Sequence, residues 1–321
     1  MSEQRKSVLV RSVVILLLAL VPEIASALNG EFFIAFGARA LIYAIAAVSL
    51  NIALGFGGMV SLGHALFIGL GMYSVALSAH FGTDNGWIHL MLALLSCAMV
   101  GAVTGWISLR TTGIAFIMIT LAFAQMGYFV FVSLKQFGGD DGMAVAQPSA
   151  FFGVALNSPR SVYFCTLLCL FLVLIWIEKL KSSPFGFVLR ACRQSERRVA
   201  SLGINPRHYM LTGYVISAML CGISGVLLAN LNAYVSPGSM SWMVSGELIV
   251  MVILGGIGTV TGPVMGALIY LFSEEALKSI TDSWMAIFGL LILSFSLLGN
   301  LERIRSSLHG YFKTLMQRGT H

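Results

Sequence analysis

The chain has 321 residues, 58% of them hydrophobic and 10% charged, with 19 Lys and Arg against 13 Asp and Glu. Soluble domains carry about 25% charged residues, so this chain has too little charge to cover a water-facing surface, and it reads as an integral membrane protein. At roughly 20 residues per crossing, its length leaves room for about ten helices and a few loops and excludes a separate soluble domain of ordinary size.

Apolar runs predict spans over 8–28, 32–54, 64–80, 87–109, 113–134, 159–177, 210–232, 246–258, 262–280 and 284–300, all within a single transmembrane domain. Arg5, Lys6 and Arg11 precede or interrupt the first run. Ala25-Ser26-Ala27 resembles a signal-peptidase site, but an uncleaved first helix is expected. With both termini in the cytoplasm, all of the 19 basic residues except Arg39, Lys135, Arg160 and Lys278 fall on the inner side. The reverse orientation inverts that ratio. Two loops are longer than the rest, an outer one over 135–158 and a cytoplasmic one over 178–209.

Polar and glycine-rich positions inside the runs are the candidates for a translocation path. Asn51 ends the second run, and "LGFGGMVSLGHALFIGLGMY" (54–73) follows it with Gly58, Gly63 and His64. Glycine in a membrane run lets helices approach closely or lets the backbone break, so the segment is either tight packing or a broken helix with His64 near the break. Thr120 and Gln125 in "TLAFAQMGYF" either bridge helices or meet a polar solute. Glu247 is either interfacial or path-lining, since a carboxylate beside an apolar run needs a partner, a proton or a water-filled cavity. Gly255 opens "GGIGTVTGPVMGA", which lacks the Gly-Lys-Ser/Thr of a phosphate-binding loop and joins two spans. This junction and the one at 55–69 are candidate counterparts in two inverted halves. "FGGDDGM" (137–143) is a turn by composition. Its Asp140 and Asp141 are either solvated or set at the outer mouth, where they could meet a periplasmic partner.

Cys97, Cys165, Cys169, Cys192 and Cys221 show no ligand spacing, so neither a metal site nor a disulfide is expected. "CGISG" (221–225) has the glycine and serine of a nucleophile motif but no base in a later span, so no catalytic residue is expected. The cytoplasmic loop contains "SPFGFVLRACRQSERRVASLGINPRH". Ser183-Pro184 predicts a helix start, 185–202 one helix with Arg190, Arg193 and Arg197 on a shared face, and Gly203 its C-terminal cap. Such a helix either lies on anionic lipid or docks into a cytosolic protein.

Six segments in order resemble the permease subunits of ABC importers for branched-chain amino acids, the LivM type, whose kin serve urea and short-chain amides. They are "LNIALGFGGMVSLGHALFIGLGMY", "LRTTGIAFIMITLAFAQM", "GGDDG", "SPFGFVLRACRQSERRVASLGIN", "YVISAMLCGISGVL" and "MVILGGIGTVTGPVMGA", over about residues 40–300. The resemblance implies an all-α, type-II-like importer permease in a bacterial inner membrane. It implies a second homologous permease as a heterodimer partner, two cytosolic ATPases and a periplasmic solute-binding protein. ATP and Mg would sit on the partner ATPases, with no cofactor on this chain and no enzyme activity of its own. It also makes 178–209 the coupling loop, with Arg190, Arg193, Glu196, Ala200, Leu202, Gly203 and Ile204 as its docking residues. Ser201 departs from the family, which usually has an acidic residue there. The alternative is a stand-alone secondary transporter or channel, for which Glu247 is the candidate coupling carboxylate.

Overall fold

The computed structural model describes residues 31–151, 153–279, 285–290 and 294. The expected span 8–28, the signal-peptidase reading and most of the span 284–300 lie outside the described residues. The chain divides into two compact units, Met1–Leu268 and Ile269–His321.

The first unit is helical throughout its apolar runs. Helix α1 (Glu31–Asn51) passes into a single π-helical turn, Ile52–Phe56. The following backbone stays non-helical until α2 (His64–His80). Helix α3 covers Gly86–Ser108 and α4 Ile114–Ser133. Next comes α5 (Pro159–Ser182), then two short helices, α6 (Pro184–Gln194) and α7 (Glu196–Ser201). Helix α8 (Pro206–Asn232) is the longest among the described residues, and α9 (Trp242–Gly255) follows it. Helix α10 (Gly262–Lys278) begins in the first unit and ends in the second, where Lys278 Nζ pairs with Glu274 Oε1 at 2.5 Å. The five segments 32–56, 86–108, 114–133, 159–182 and 206–232 are each long and apolar enough to cross a bilayer. The fold is that of an all-α membrane protein.

Local sequence explains the helix starts. Ser158-Pro159, Ser183-Pro184 and Asn205-Pro206 each set a capping side chain before a proline at the first helical position. In each case the cap oxygen accepts a first-turn N–H, and the proline gives up an N–H the helix could not use.

Burial separates a centre from a rim. Helices α1, α2 and α8 have most of their residues buried, Tyr73 and Tyr214 among the largest enclosed side chains. A helix that is apolar all round and enclosed all round belongs to the core. Helices α2 and α8 cross with backbone almost on backbone: a Cβ on Gly71 would meet the Gly222 carbonyl, and one on Gly225 the Ile68 carbonyl. Helices α3 and α4 instead present Leu95, Met99, Met118 and Phe129 outward, as lipid-facing helices do.

The loop 135–158 carries short strands. Met143–Ala144 (β1) pairs antiparallel with Tyr234–Val235 (β4), and Ala150–Phe151 (β2) with Val154–Ala155 (β3). Segments expected on the outer side therefore meet one another. The basic loop over 178–209 differs from its expected single helix. Ser195 is extended (φ −167°, ψ 106°) and its Oγ caps α7 by accepting from Arg198 N. The break separates Arg197 from Arg190 and Arg193, so the three do not share one helix face.

Candidate functional site

The non-helical stretch between Phe56 and His64 is where the polar positions of the apolar runs converge. Side chains from three other helices reach this stretch or the first turn of α2 after it. Thr120 Oγ1 on α4 accepts from Leu62 N at 3.2 Å and donates to Ile117 O at 2.9 Å. Ser245 Oγ on α9 accepts from Ala65 N at 2.9 Å, filling a first-turn donor of α2. Gly63 N donates to Ser61 Oγ at 3.1 Å, and Ser61 Oγ lies 3.5 Å from the Tyr214 hydroxyl on α8. Thr120 thus serves as a bridge between helices.

His64 opens α2 fully buried, edge-on to Phe67 and Tyr214 with ring centroids 5.6 Å away in both cases. Ser217 Oγ donates to Ser49 O at 2.6 Å, so it accepts from His64 Nε2 at 2.9 Å. That places the imidazole proton on Nε2. Nδ1 is left as a buried acceptor without a partner among the described residues. Gln125 is half-buried on α4, away from this convergence. Glu247 is half-buried on α9, two residues from Ser245.

Below the break, two glycine-rich junctions and the basic loop form one knot. The Asn51 amide, 1% exposed, clasps the α9–α10 junction. Its Nδ2 donates to Thr259 O at 2.7 Å, and its Oδ1 accepts from Gly258 N at 2.9 Å. Arg193 Nη1 donates to Gly55 O. The stem of Arg193 lies on Gly58, where a Cβ would come within 2.9 Å of Arg193 Cγ, and Gly58 has φ +72°. A side chain there would be strained by its backbone and obstructed by the arginine. A Cβ on Gly258 would lie 3.2 Å from Arg193 Nη1. Gly255 closes the other side, its Cα against the Gly262 carbonyl. One guanidinium on α6 therefore reaches both junctions.

The rest of the basic loop divides into inward and outward faces. Leu189 and Cys192 are buried, Leu189 lying against Gly213 of α8. Burial, and secondarily the Glu196 carboxylate, raise the Cys192 thiol pKa above its ordinary value. Arg190 turns back on its own loop, with Nε to Gly186 O at 3.2 Å and Nη2 to Lys181 O at 3.1 Å. The outward face is Phe187, 69% exposed, and the tip Ala200–Gly203, where Leu202 is 77% exposed. Gly203 has φ +81° and open space around it. Glu196 and Ile204 are partly covered.

At the opposite end a second buried network holds the 135–158 loop. His89 Nε2 donates to Thr83 O at 2.9 Å, so Nδ1 accepts from Ser149 Oγ at 2.7 Å. Asn230 Nδ2 donates to Ser149 Oγ at 2.9 Å and to Val226 O at 2.8 Å, while Asn230 Oδ1 accepts from Ser149 N at 2.7 Å. Asp140 and Asp141 are exposed, and the Tyr128 hydroxyl lies 3.4 Å from Asp140. His89, Ser149 and Asn230 were not among the sequence candidates, nor were Ser217 and Ser245. Ser217 is a lone polar residue in an apolar stretch, whereas Ser149 and Asn230 lie beside a loop and leave no such signal.

The sequence pattern of the family described as the permease component of branched-chain amino acid transport systems matches residues 32–296. The chain is 29% identical over 278 residues to the high-affinity branched-chain amino acid transport permease LivM of Escherichia coli, covering 79% of this chain and 65% of that protein. It is 30% identical over 278 residues to LivM of Salmonella typhimurium, with the same coverage. To the permease LivH of Escherichia coli it is 25% identical over 289 residues, covering 81% of this chain and 92% of LivH. The chain thus spans slightly under two thirds of the length of the LivM proteins it matches. No solved structure matches it significantly.

Proposed function

The chain belongs to the family of permease components of branched-chain amino acid transport systems, and from that membership we propose that it forms half of the translocation path of an ATP-driven importer. It sits in a bacterial inner membrane with the basic loop facing the cytoplasm. A second homologous permease completes the path, two cytosolic ATPases power it, and a periplasmic binding protein delivers solute to the outer end. The fold is type-II-like, its two halves related by inversion about the knot of Asn51 and Gly258. The solute is a branched-chain amino acid, with urea or a short-chain amide next in order. This chain contributes no ATP site and no catalysis.

The observation that supports the reading best is the knot itself. Leu202 and Phe187 are large apolar side chains standing out from a basic loop, a surface suited to burial against a cytosolic partner. The inward side of the same loop ends in Arg193 on Gly55, at the break between α1 and α2. A push on Leu202 is thereby delivered to the place where two broken helices meet. ATP-dependent closure of the ATPases would tilt that junction as a rigid body and switch the path between two states. Among the sequence candidates, Ala200, Leu202 and Gly203 form the docking tip, Arg193 ties the loop to the bundle, and Arg190 braces the loop internally.

The test is reconstitution with the partner subunits and labelled leucine, urea and acetamide in parallel. ATP-dependent uptake of one of them, lost on Leu202→Asp or Gly203→Pro while the chain still inserts, is the expected result. Uptake that continues without ATP or without ATPase subunits would point to a stand-alone transporter instead.

A further inference from the structure

The ends of α3 and α8 enclose a pocket of about 490 Å³ at the same end as the basic loop. Trp106, Leu109 and Leu211 form its apolar wall, and Arg110, Arg207 and His208 its polar one. No carboxylate lines it among the described residues. The Arg110 guanidinium stacks on the Trp106 ring, 4.1 Å from the centroid, which fixes a cation that a free arginine stem would leave mobile. Arg207 lies in the first turn of α8, where the helix dipole adds positive potential. The Asn205 side chain is already committed to Arg207 N at 3.2 Å.

The pocket does not stand alone. From it an exposed apolar stripe runs up α3 through Trp106, Val103, Met99, Leu95 and Leu92. These lie three or four residues apart and so share one helix face. An anionic head with two arginines beside it, next to a greasy track leading away along the span, matches the two parts of a phospholipid. A free phosphate would use only the pocket. Trp106 stands where the two meet, as tryptophans do at membrane interfaces.

We infer that this pocket is a specific site for an anionic phospholipid of the cytoplasmic leaflet, with the phosphate between Arg110 and Arg207 and an acyl chain along α3. The inference rests on the chain crossing a membrane and does not depend on the import reading. It would hold for a stand-alone transporter as well. Arg110 also lies in the turn between α3 and α4, so an occupied pocket ties that turn to the start of α8.

The test uses the full chain in nanodiscs of equal phosphatidylglycerol and phosphatidylcholine, with native mass spectrometry to count lipid retained on gentle release. Wild type should retain phosphatidylglycerol over phosphatidylcholine. Each cationic side chain beside an anionic head is worth about a fivefold preference, so the pair Arg110→Gln and Arg207→Gln should lower the ratio by roughly 30-fold. The equally charge-changing pair Arg197→Gln and Arg198→Gln, both exposed on the loop, should leave it near wild type. Equal losses in both pairs would make the preference a general charge effect and overturn the site. Wild type that shows no preference overturns it without any variant. If inorganic phosphate raises the melting temperature in lipid-free detergent as much as phosphatidylglycerol does, the pocket is a plain anion site. If the Arg110 and Arg207 pair keeps its lipid ratio but loses a co-purifying cytosolic protein, it is a protein interface.

Discussion

The two ends of the bundle, outer and inner in the proposed orientation, fasten their loops with polar side chains, but in opposite ways. At the outer end, His89, Ser149 and Asn230 form a closed chain in which each side-chain donor and acceptor has a partner. At the inner end, two interrupted helices are held by one amide, Asn51, and one guanidinium, Arg193. The outer network joins a loop to continuous helices, α3 and α8. The inner one joins ends of broken helices to each other and to a loop with an exposed apolar tip. A fully satisfied buried network rigidifies. A junction carried by two side chains, one of them on a loop, can be displaced through that loop. Under the proposed function the outer end is then a fixed lid on the fold and the inner end a lever.

The largest expected effect is that of Asn51→Ala. It strands Gly258 N and Thr259 O inside the junction, at about 1–3 kcal/mol for each unsatisfied group. The variant should melt roughly 5–10 °C lower in detergent and lose uptake. A change in melting of under 1 °C would show that the clasp does not hold the junctions together.

His89→Ala comes next. It removes both bonds of the imidazole and should cost about 2 kcal/mol of stability. Uptake per folded molecule should stay at the wild-type level, because the outer network fixes and does not move. If uptake falls while stability holds, the contrast between lid and lever is wrong.

Arg193→Gln tests the lever with little cost to the fold. The guanidinium sits at an accessible site, so melting should shift by about 1 kcal/mol or less. ATP hydrolysis in the assembled complex should continue, with uptake down about tenfold. Parallel loss of both would mean that the arginine serves assembly and not coupling.

How much of this was readable beforehand follows from the kind of signal each part leaves. The five described segments long enough to cross a bilayer were legible because some twenty largely apolar residues together have no other use in so uncharged a chain. The start of α6 was legible from Ser183 followed by Pro184, whereas α8 begins at Pro206, four residues before its apolar run. The break at Ser195 was not legible. "CRQSERR" has no glycine or proline, and only the ability of Ser195 to cap α7 marks it. Asn51, Thr120 and His64 stood out as polar residues in apolar runs, yet their partners lie on distant segments. Asn51 is 208 residues from Thr259, and His64 is 153 from Ser217. Periodicity cannot pair such positions. Ser149 and Asn230 were passed over because serine and asparagine near a loop read as solvated, and only burial reveals that they are not. Arg193 came with the docking residues that the resemblance implies, and nothing in the sequence tells that its guanidinium reaches Gly55.

The smallest expected effect concerns Cys192, and it reads the lever directly. The thiol is buried where α6 meets the bundle, and its pKa is raised by that burial and by Glu196. A raised thiol pKa means that the docked loop holds its proton more tightly than the undocked loop does. Docking is therefore unaffected by this group below its ordinary pKa. As pH climbs through that value toward the docked one, the undocked form gains thiolate first and docking weakens. In a variant with Cys97, Cys165, Cys169 and Cys221 changed to Ala, iodoacetamide should label Cys192 slowly at pH 7 and disproportionately faster above pH 9. Arg193→Gln should raise the labelling rate several-fold at both pH values, because it frees α6 from Gly55. His89→Ala should leave the rate unchanged, since the outer network has no contact with the loop. Labelling that responds equally to both variants would mean that the whole bundle loosens together and that the inner end is no more movable than the outer.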